Sequence, residues 1–232
     1  MQSTSEEETL QPVNGNRTKR KRPPTNISSH YQTLAGNIVS LREDSTDHKA
    51  IGVCGIYAND GVTTVATNLA RAITTVIDGN VLLVQANLER SDLARIFRLR
   101  GQRGWADVYL EGESPHDVIT ESRDERLYVM PAGNVPSRST LTYETSRLRG
   151  LVDELKDGFE FVVFDLPLTN ELSGCFSLAG VLDGTLMVLQ ADRATSAAAK
   201  GAKSQLERYG ANLIGAVVNK KKNYTPSFLR RS

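Results

Sequence analysis

Residues 50–73 read AIGVCGIYANDGVTTVATNLARAI, and this stretch decides the fold. It begins with an apolar run of strand length at 50–56. A loop of glycine and small polar residues follows, and Thr63 and Thr64 then open a helix. This order of strand, loop and helix is typical of a phosphate cradle, because backbone N–H groups and the helix N-terminus point at an anion. The sequence therefore predicts an anion-binding loop directly after the first strand.

The apolar pattern of the first strand recurs five more times. Predicted strands lie at 50–56, 80–86, 127–131, 159–165, 184–191 and 213–219. Predicted helices lie between them, at 63–77, 91–97, 103–110, 114–120, 141–157, 172–181 and 195–209. Near-continuous apolar strands are typical of a parallel sheet that is covered on both faces. The alternation predicts an α/β fold, with a doubly wound, mostly parallel sheet and helices on both sides.

The composition changes outside this region. The N-terminal stretch has too little apolar surface to fold, and its basic run at 17–22 is expected either to stay solvated or to contact anionic lipid or an acidic partner. Apolar residues at helical spacing predict a helix over 30–41. The predicted organisation is a disordered polar and basic arm at 1–28, a helix and linker at 29–49, the domain at 50–222 and a basic tail at 223–232.

Charge and composition exclude several classes of protein. The 232 residues carry 28 Lys and Arg against 27 Asp and Glu, so no strong field attracts nucleic acid, and none is expected as a partner. The apolar runs are too short to span a bilayer, and the N-terminus is too polar for a signal peptide. Cys54 and Cys175 form no CxxC pair, and we expect both to be buried packing residues. These observations predict a cytoplasmic protein.

The stretch 29–222 resembles the cytoplasmic bacterial tyrosine kinases of the CpsD/CapB type, which belong to the MinD/ParA-like P-loop ATPases. The family's loop PGEGKST corresponds to ANDGVTT at 58–64, and its LYVLPAG to LYVMPAG at 127–133. Its FDYVIIDTPP corresponds to FEFVVFDLPL at 159–168, and its GVVLN to GAVVN at 215–219. The resemblance implies a site for ATP and Mg²⁺ and a role in the regulation of capsule and exopolysaccharide assembly.

The resemblance also implies which residues surround the nucleotide. The residues implied to bind the cofactor are Asn59, Asp60, Gly61, Val62, Thr63, Thr64 and Asn219. Thr63 and Asp165 would hold Mg²⁺, and Asp165, at the end of the predicted fourth strand, would be the catalytic carboxylate. An alternative role for Asp165 is a strand-end carboxylate that caps the following turn.

Three positions depart from the family pattern, and each loses a charge. Val62 replaces the loop lysine, while Gln85 and Asn87 replace the two carboxylates of the family's Asp-x-Asp. Loss of one charge-assisted contact, worth about 1.5–3 kcal/mol, weakens phosphate binding roughly ten- to a hundredfold. An amide is a poor Mg²⁺ ligand beside a carboxylate and cannot act as a general base. We expect ATP and Mg²⁺ to bind weakly or not at all, and lysine at position 62 to restore binding.

Two further family features are reduced. The glutamate and two arginines used for ring assembly correspond to Ser29, Gln32 and Ala35, so this route to self-association is in doubt. The family's cluster of C-terminal tyrosines corresponds to Tyr224 alone, which is either inert or a phosphoacceptor.

The sequence leaves three functions open. The first is a catalytically impaired relative of the kinases, which binds a membrane-bound chain-length regulator or an active kinase subunit, at the inner membrane surface if the arm or tail contacts lipid. The second is an active autokinase or ATPase in which a lysine of a neighbouring subunit, or Lys49, Lys200 or Lys220 of the same chain, replaces the missing lysine. The third is a MinD/ParA-like positioning ATPase, which is disfavoured because Tyr57 occupies the place of that group's second lysine.

Overall fold

The computed structural model describes the chain in five ranges, 29–44, 49–88, 92–134, 143–169 and 174–220. Several predictions lie outside the described residues and side chains. They concern the arm at 1–28, the tail at 223–232, Tyr224 and the side chain of Cys175.

The described ranges contain seven strands and eight helices. The strands are β1 (Ala50–Gly55), β2 (Val81–Gln85), β3 (Thr120–Glu121), β4 (Leu127–Met130), β5 (Phe161–Asp165), β6 (Gly184–Gln190) and β7 (Leu213–Asn219). The helices are α1 (Ser29–Asp44), α2 (Val62–Val76), α3 (Asp92–Ile96), α4 (Trp105–Glu111), α5 (Pro115–Val118), α6 (Thr145–Gly158), α7 (Gly174–Ala179) and α8 (Ser196–Arg208). All six predicted strands are present, with ends within two residues of the predicted ones.

The strands form one sheet in the order β3-β4-β2-β5-β1-β6-β7. Every pair is parallel except β3 with β4, at one edge. This arrangement confirms the predicted α/β fold with a mostly parallel sheet. Asp165 lies in register with Val53 on one neighbouring strand and with Gln85 on the other. The carboxyl ends of β1, β2 and β5 therefore meet, which is where ligands bind in open parallel sheets.

Side chains of the central strands enter two separate cores. On β1, Ala50 and Cys54 face one core, while Ile51 and Val53 face the other. Both faces are covered by helices, and this burial on two sides explains why the strands show no polar alternation. Cys54 is fully buried, as predicted.

Helix α1 extends three residues beyond the predicted end at Leu41 and packs against α2. Its buried residues Ala35 and Ile38 join the same core as Ile51. Ala35, one of the positions where the family carries a ring-assembly residue, has no exposed surface. Within the described ranges, no helix combines the length and apolar composition needed to cross a bilayer.

The predicted helix over 114–120 is shorter in the structure. Ser114 caps α5, since its hydroxyl accepts a hydrogen bond from the backbone N–H of His116 at 3.3 Å. Ile119 adopts an extended conformation and ends the helix. The next two residues form β3, which pairs with β4. A two-residue strand is too short to produce a periodic pattern, so the sequence does not reveal it.

Candidate functional site

The loop between β1 and α2 forms a concave backbone surface. Asn59 and Gly61 have positive φ angles of 69° and 95°, in the left-handed region. Left-handed residues within a turn direct successive N–H groups towards one side, which creates an anion-binding concavity. Gly61 is the N-cap of α2, and no side chain caps the first turn of this 15-residue helix. The orphan N–H groups at the helix start are therefore not bonded to a capping side chain.

A cavity of about 200 Å³ lies against this loop. Its lining residues are Tyr57, Asn59, Asp60, Gly61, Val62, Thr63, Thr64, Asn87, Asp92, Leu168 and Lys220. Six of the seven residues implied to bind the cofactor thus surround one cavity, and Asn219 is the exception. We call this cavity, with the loop at 55–64, the cradle.

Asp60 fixes the shape of the loop. Its carboxylate is fully buried, and Oδ2 accepts hydrogen bonds from the backbone N–H groups of Ile56 and Tyr57, at 3.1 and 2.9 Å. A carboxylate that accepts two backbone N–H bonds ties the end of the loop to its beginning. The Asp60 side chain therefore holds the loop in this shape.

Val62 contributes to the hydrophobic core. Its side chain is 8% exposed and belongs to the core that also contains Ile51. It packs so closely on the end of β1 that a Cβ added to Gly55 would lie 2.6 Å from Val62 Cγ2. The position that carries a lysine in the resembling kinases is thus occupied here by an uncharged side chain that packs inward.

The residues implied to hold Mg²⁺ lie side by side. The Thr63 hydroxyl donates to Asp165 Oδ2 at 2.8 Å, and Asp165 is fully buried. The backbone N–H of Asn87 donates to the Asp165 carbonyl at 2.9 Å, which holds the end of β2 beside β5. Gln85 is fully buried, and Asn87, 4% exposed, lines the cradle. The Thr63 hydroxyl is therefore bonded to one carboxylate, and the residue beside Asp165 on β2 and the residue two positions after it are the neutral amides Gln85 and Asn87.

The end of β7 is bonded to the loop. The Asn219 amide donates from Nδ2 to the Asp60 carbonyl at 2.9 Å, and its Oδ1 accepts from the backbone N–H of Lys220 at 2.9 Å. The Lys220 ammonium donates to the Asn59 carbonyl. Asn219, implied by the resemblance to bind the cofactor, is in this structure a residue that clamps the loop.

The three lysines considered as replacements for the loop lysine lie at different distances from the cradle, and one of them lines it. Lys49 precedes β1, at the amino end of this central strand and so at the opposite end from the cradle, where its backbone N–H donates to Asp183 Oδ2 at 2.9 Å. Lys200 is exposed on α8 and does not line the cradle. Lys220 lines it.

Two charged contributors to the site were not predicted from the sequence. Asp92, at the start of α3, lines the cradle, and its Oδ1 accepts from Arg95 at 3.1 Å. Arg193 holds the outer side of the loop: it donates to the Ala58 carbonyl at 2.7 Å and lies 4.8 Å from the ring centroid of Tyr57. A carboxylate in the first helical turn after the second strand could have indicated Asp92. No local pattern indicates Arg193.

Substitution of Gly61 by alanine is expected to destabilise the protein by about 1–3 kcal/mol. Alanine is strained at φ 95°, and its Cβ would lie 2.3 Å from Asn219 Nδ2, which breaks the clamp. Urea unfolding measures the change. Gly150→Ala is the matched control: this exposed helical glycine has nothing within 4 Å of an added Cβ, so stability should rise by about 0.5–1 kcal/mol. Equal stability of Gly61→Ala and wild type would contradict the described loop geometry.

Comparison with known proteins identifies the relatives of this chain. A family model described as cellulose biosynthesis protein BcsQ matches residues 48–213. Tyrosine-protein kinase CpsD of Streptococcus agalactiae serotype III is 26% identical over 182 residues, which cover 78% of each chain.

Solved structures show the same fold. The kinase domain of Escherichia coli tyrosine kinase ETK superposes with a TM-score of 0.72 at 20% identity, over 92% of this chain and 87% of that one. The septum site-determining protein MinD of Pyrococcus horikoshii, solved with Mg-ADP, superposes with a TM-score of 0.61 at 19% identity, over 73% and 69% of the two chains. These matches confirm the predicted resemblance to CpsD-type tyrosine kinases and MinD-like ATPases.

Proposed function

Because the chain belongs to the cellulose biosynthesis protein BcsQ family, we propose that it is a regulatory protein of bacterial exopolysaccharide assembly with impaired phosphoryl transfer. It acts by binding a membrane-bound chain-length regulator or an active kinase subunit at the cytoplasmic side of the membrane. The observation that carries this proposal is that the neighbours of the bonded pair Thr63 and Asp165 in the chain and in the sheet, Val62, Gln85 and Asn87, are all neutral.

The cradle fits a phosphate group. The left-handed residues Asn59 and Gly61 shape the loop, and α2 begins without a side-chain cap. Backbone N–H groups at such a helix start suit a phosphate oxygen. The cofactor site in this proposal therefore consists of backbone groups of 59–64 and the hydroxyls of Thr63 and Thr64.

The donor set also fits Mg²⁺, at the lower limit of what this ion requires. Mg²⁺ is commonly bound through one or two carboxylates together with substrate phosphates and water. Asp165 supplies one carboxylate and Thr63 one hydroxyl, 2.8 Å apart. When bound, the ion would neutralise charge on the phosphate chain. The chain's own contribution is to hold these two oxygens in place.

The proposed impairment concerns transfer more than binding. Catalysis of phosphoryl transfer consists almost entirely of positioning and electrostatic stabilisation. The buried Val62 places no charge in the cradle, and the amides of Gln85 and Asn87 cannot accept a proton from an attacking hydroxyl. A site that keeps the phosphate cradle but lacks these charges is suited to binding and regulation.

The test is to incubate the purified full chain with Mg-ATP and to measure phosphotyrosine and released phosphate. We expect both to stay at the level of a sample without protein, while an active tyrosine kinase assayed in parallel gives signal. Phosphotyrosine that disappears in Asp165→Asn would show an active autokinase and contradict the proposal.

A further inference from the structure

We infer that Lys220 replaces the missing loop lysine as the cation of the cradle and binds the phosphate chain of a magnesium–nucleotide complex. The inference rests on the proposed function in taking the cradle as a nucleotide site, and it names the residue that holds the ligand. It also revises the expectation from Val62 alone, that nucleotide binds weakly or not at all.

The position of Lys220 is fixed by its neighbours. It follows β7 directly and has a left-handed φ of 56°. Its backbone N–H donates to Asn219 Oδ1 at 2.9 Å, and its ammonium donates to the Asn59 carbonyl. The side chain passes Gly61, where Lys220 Cε lies 3.9 Å from an added Cβ. These contacts hold the charge at the loop that binds phosphate.

The chemistry of the ammonium group matches this position. A lysine ammonium has three N–H donors, and one of them is bonded to the Asn59 carbonyl. Two donors remain for phosphate oxygens that the backbone N–H groups of the loop also reach. Lysine binds phosphate as a compact point charge, so it does not need the geometry of the original loop position.

The other charges of the cradle define the ligand further. Among the described residues that line it, Lys220 is the one with a positive charge. The carboxylates of Asp60 and Asp92 also line it; Asp60 is bonded to loop N–H groups and Asp92 to Arg95. These carboxylates repel a free phosphate chain more strongly than one that carries Mg²⁺. Binding should therefore require Mg²⁺.

The experiment is a calorimetric titration of the full chain with ATP and with ADP, each with and without Mg²⁺. We expect wild type to bind in the presence of Mg²⁺. Lys220→Met, which keeps most of the side-chain length and removes the charge, should weaken binding at least about tenfold. Lys200→Met is the matched control, because Lys200 is an exposed lysine that does not line the cradle. The affinity of this variant for nucleotide should stay within about twofold of wild type.

Circular dichroism of each variant verifies that it is folded. The inference is overturned if folded Lys220→Met binds as tightly as wild type, if Lys200→Met loses as much affinity, or if wild type binds neither nucleotide. Failure of this inference can be distinguished from failure of the proposed function. Wild type that binds through Lys220 and also forms phosphotyrosine would contradict the impaired transfer and leave the role of Lys220 intact. If wild type forms no phosphotyrosine and Lys220→Met binds nucleotide as tightly as wild type, the role of Lys220 is contradicted and the impaired transfer is left intact.

Discussion

Val62→Lys is expected to raise phosphate release from Mg-ATP to at least about ten times the level of wild type, which we expect to equal the level without protein. The substitution introduces a lysine at the first residue of α2, which lines the cradle and directly precedes Thr63, whose hydroxyl is bonded to Asp165. A charge at this position stabilises the negative charge on the transferred phosphoryl group, and one charge-assisted contact is worth about 1.5–3 kcal/mol. Phosphate release measured with saturating Mg-ATP gives the effect on the rate.

Val62→Met is the control for this variant. Methionine is similar in length to the lysine stem and carries no charge, so it reports the effect of displacing a side chain that packs on Gly55. We expect its rate to equal that of wild type. Val62→Lys combined with Lys220→Met should recover nucleotide affinity, because the two lysines supply the same charge. A Val62→Lys protein that is folded and no faster than Val62→Met would show that the missing charge at 62 is not what limits transfer.

Trp105→Ala is expected to lower the free energy of unfolding by about 3–5 kcal/mol, a large part of the roughly 5–15 kcal/mol available to a domain. Trp105 is fully buried, and its ring lies edge-on to Phe164 with the centroids 5.8 Å apart. Phe164 is on β5, directly before the carboxylate of Asp165. Removal of the indole therefore leaves a cavity under the strand that carries the site.

Urea unfolding of Trp105→Ala has to be followed by far-ultraviolet circular dichroism, because Trp105 is the one tryptophan of the chain. Trp105→Phe is the control. It keeps an aromatic ring against Phe164 and loses the hydrogen bond from Nε1 to the Tyr143 hydroxyl, which is long at 3.4 Å. The decrease in the free energy of unfolding for Trp105→Phe should be less than half that for Trp105→Ala. If Trp105→Ala lowers the free energy of unfolding no more than Trp105→Phe does, the packing of this ring does not support β5 as described.

The central strands were predictable because they are buried on two sides, and the edge strand β7, which is only partly buried, still shows an apolar run. Core residues such as Val53 and Cys54 face opposite layers, so the apolar run is continuous and visible in the sequence. The loop at 55–64 was predictable for a different reason. Its type follows from a strand that ends in glycine before a helix. β3 was not, because its two residues pair only by virtue of their position beside β4.

The assembly of the cradle depends on strand order, which no local pattern contains. Lys220 is 161 residues from Asn59 in the sequence, and the two meet because β6 and β7 lie successively beside β1. The sequence offered Lys49, Lys200 and Lys220 without a means to choose among them. The same holds for Arg193, which reaches the Ala58 carbonyl from the loop after β6. Family motifs predicted the broader group of kinases and ATPases, and they did not distinguish the BcsQ family within it.

The bonding of Asn219 and Lys220 to the loop has a mechanical consequence. Asn219 and Lys220 are consecutive at the end of β7, and their side chains donate to the carbonyls of Asp60 and Asn59. A protein that pulls these two residues away from the loop would break both bonds. Such a partner would control how long a ligand stays, with no need for the domain to change its shape.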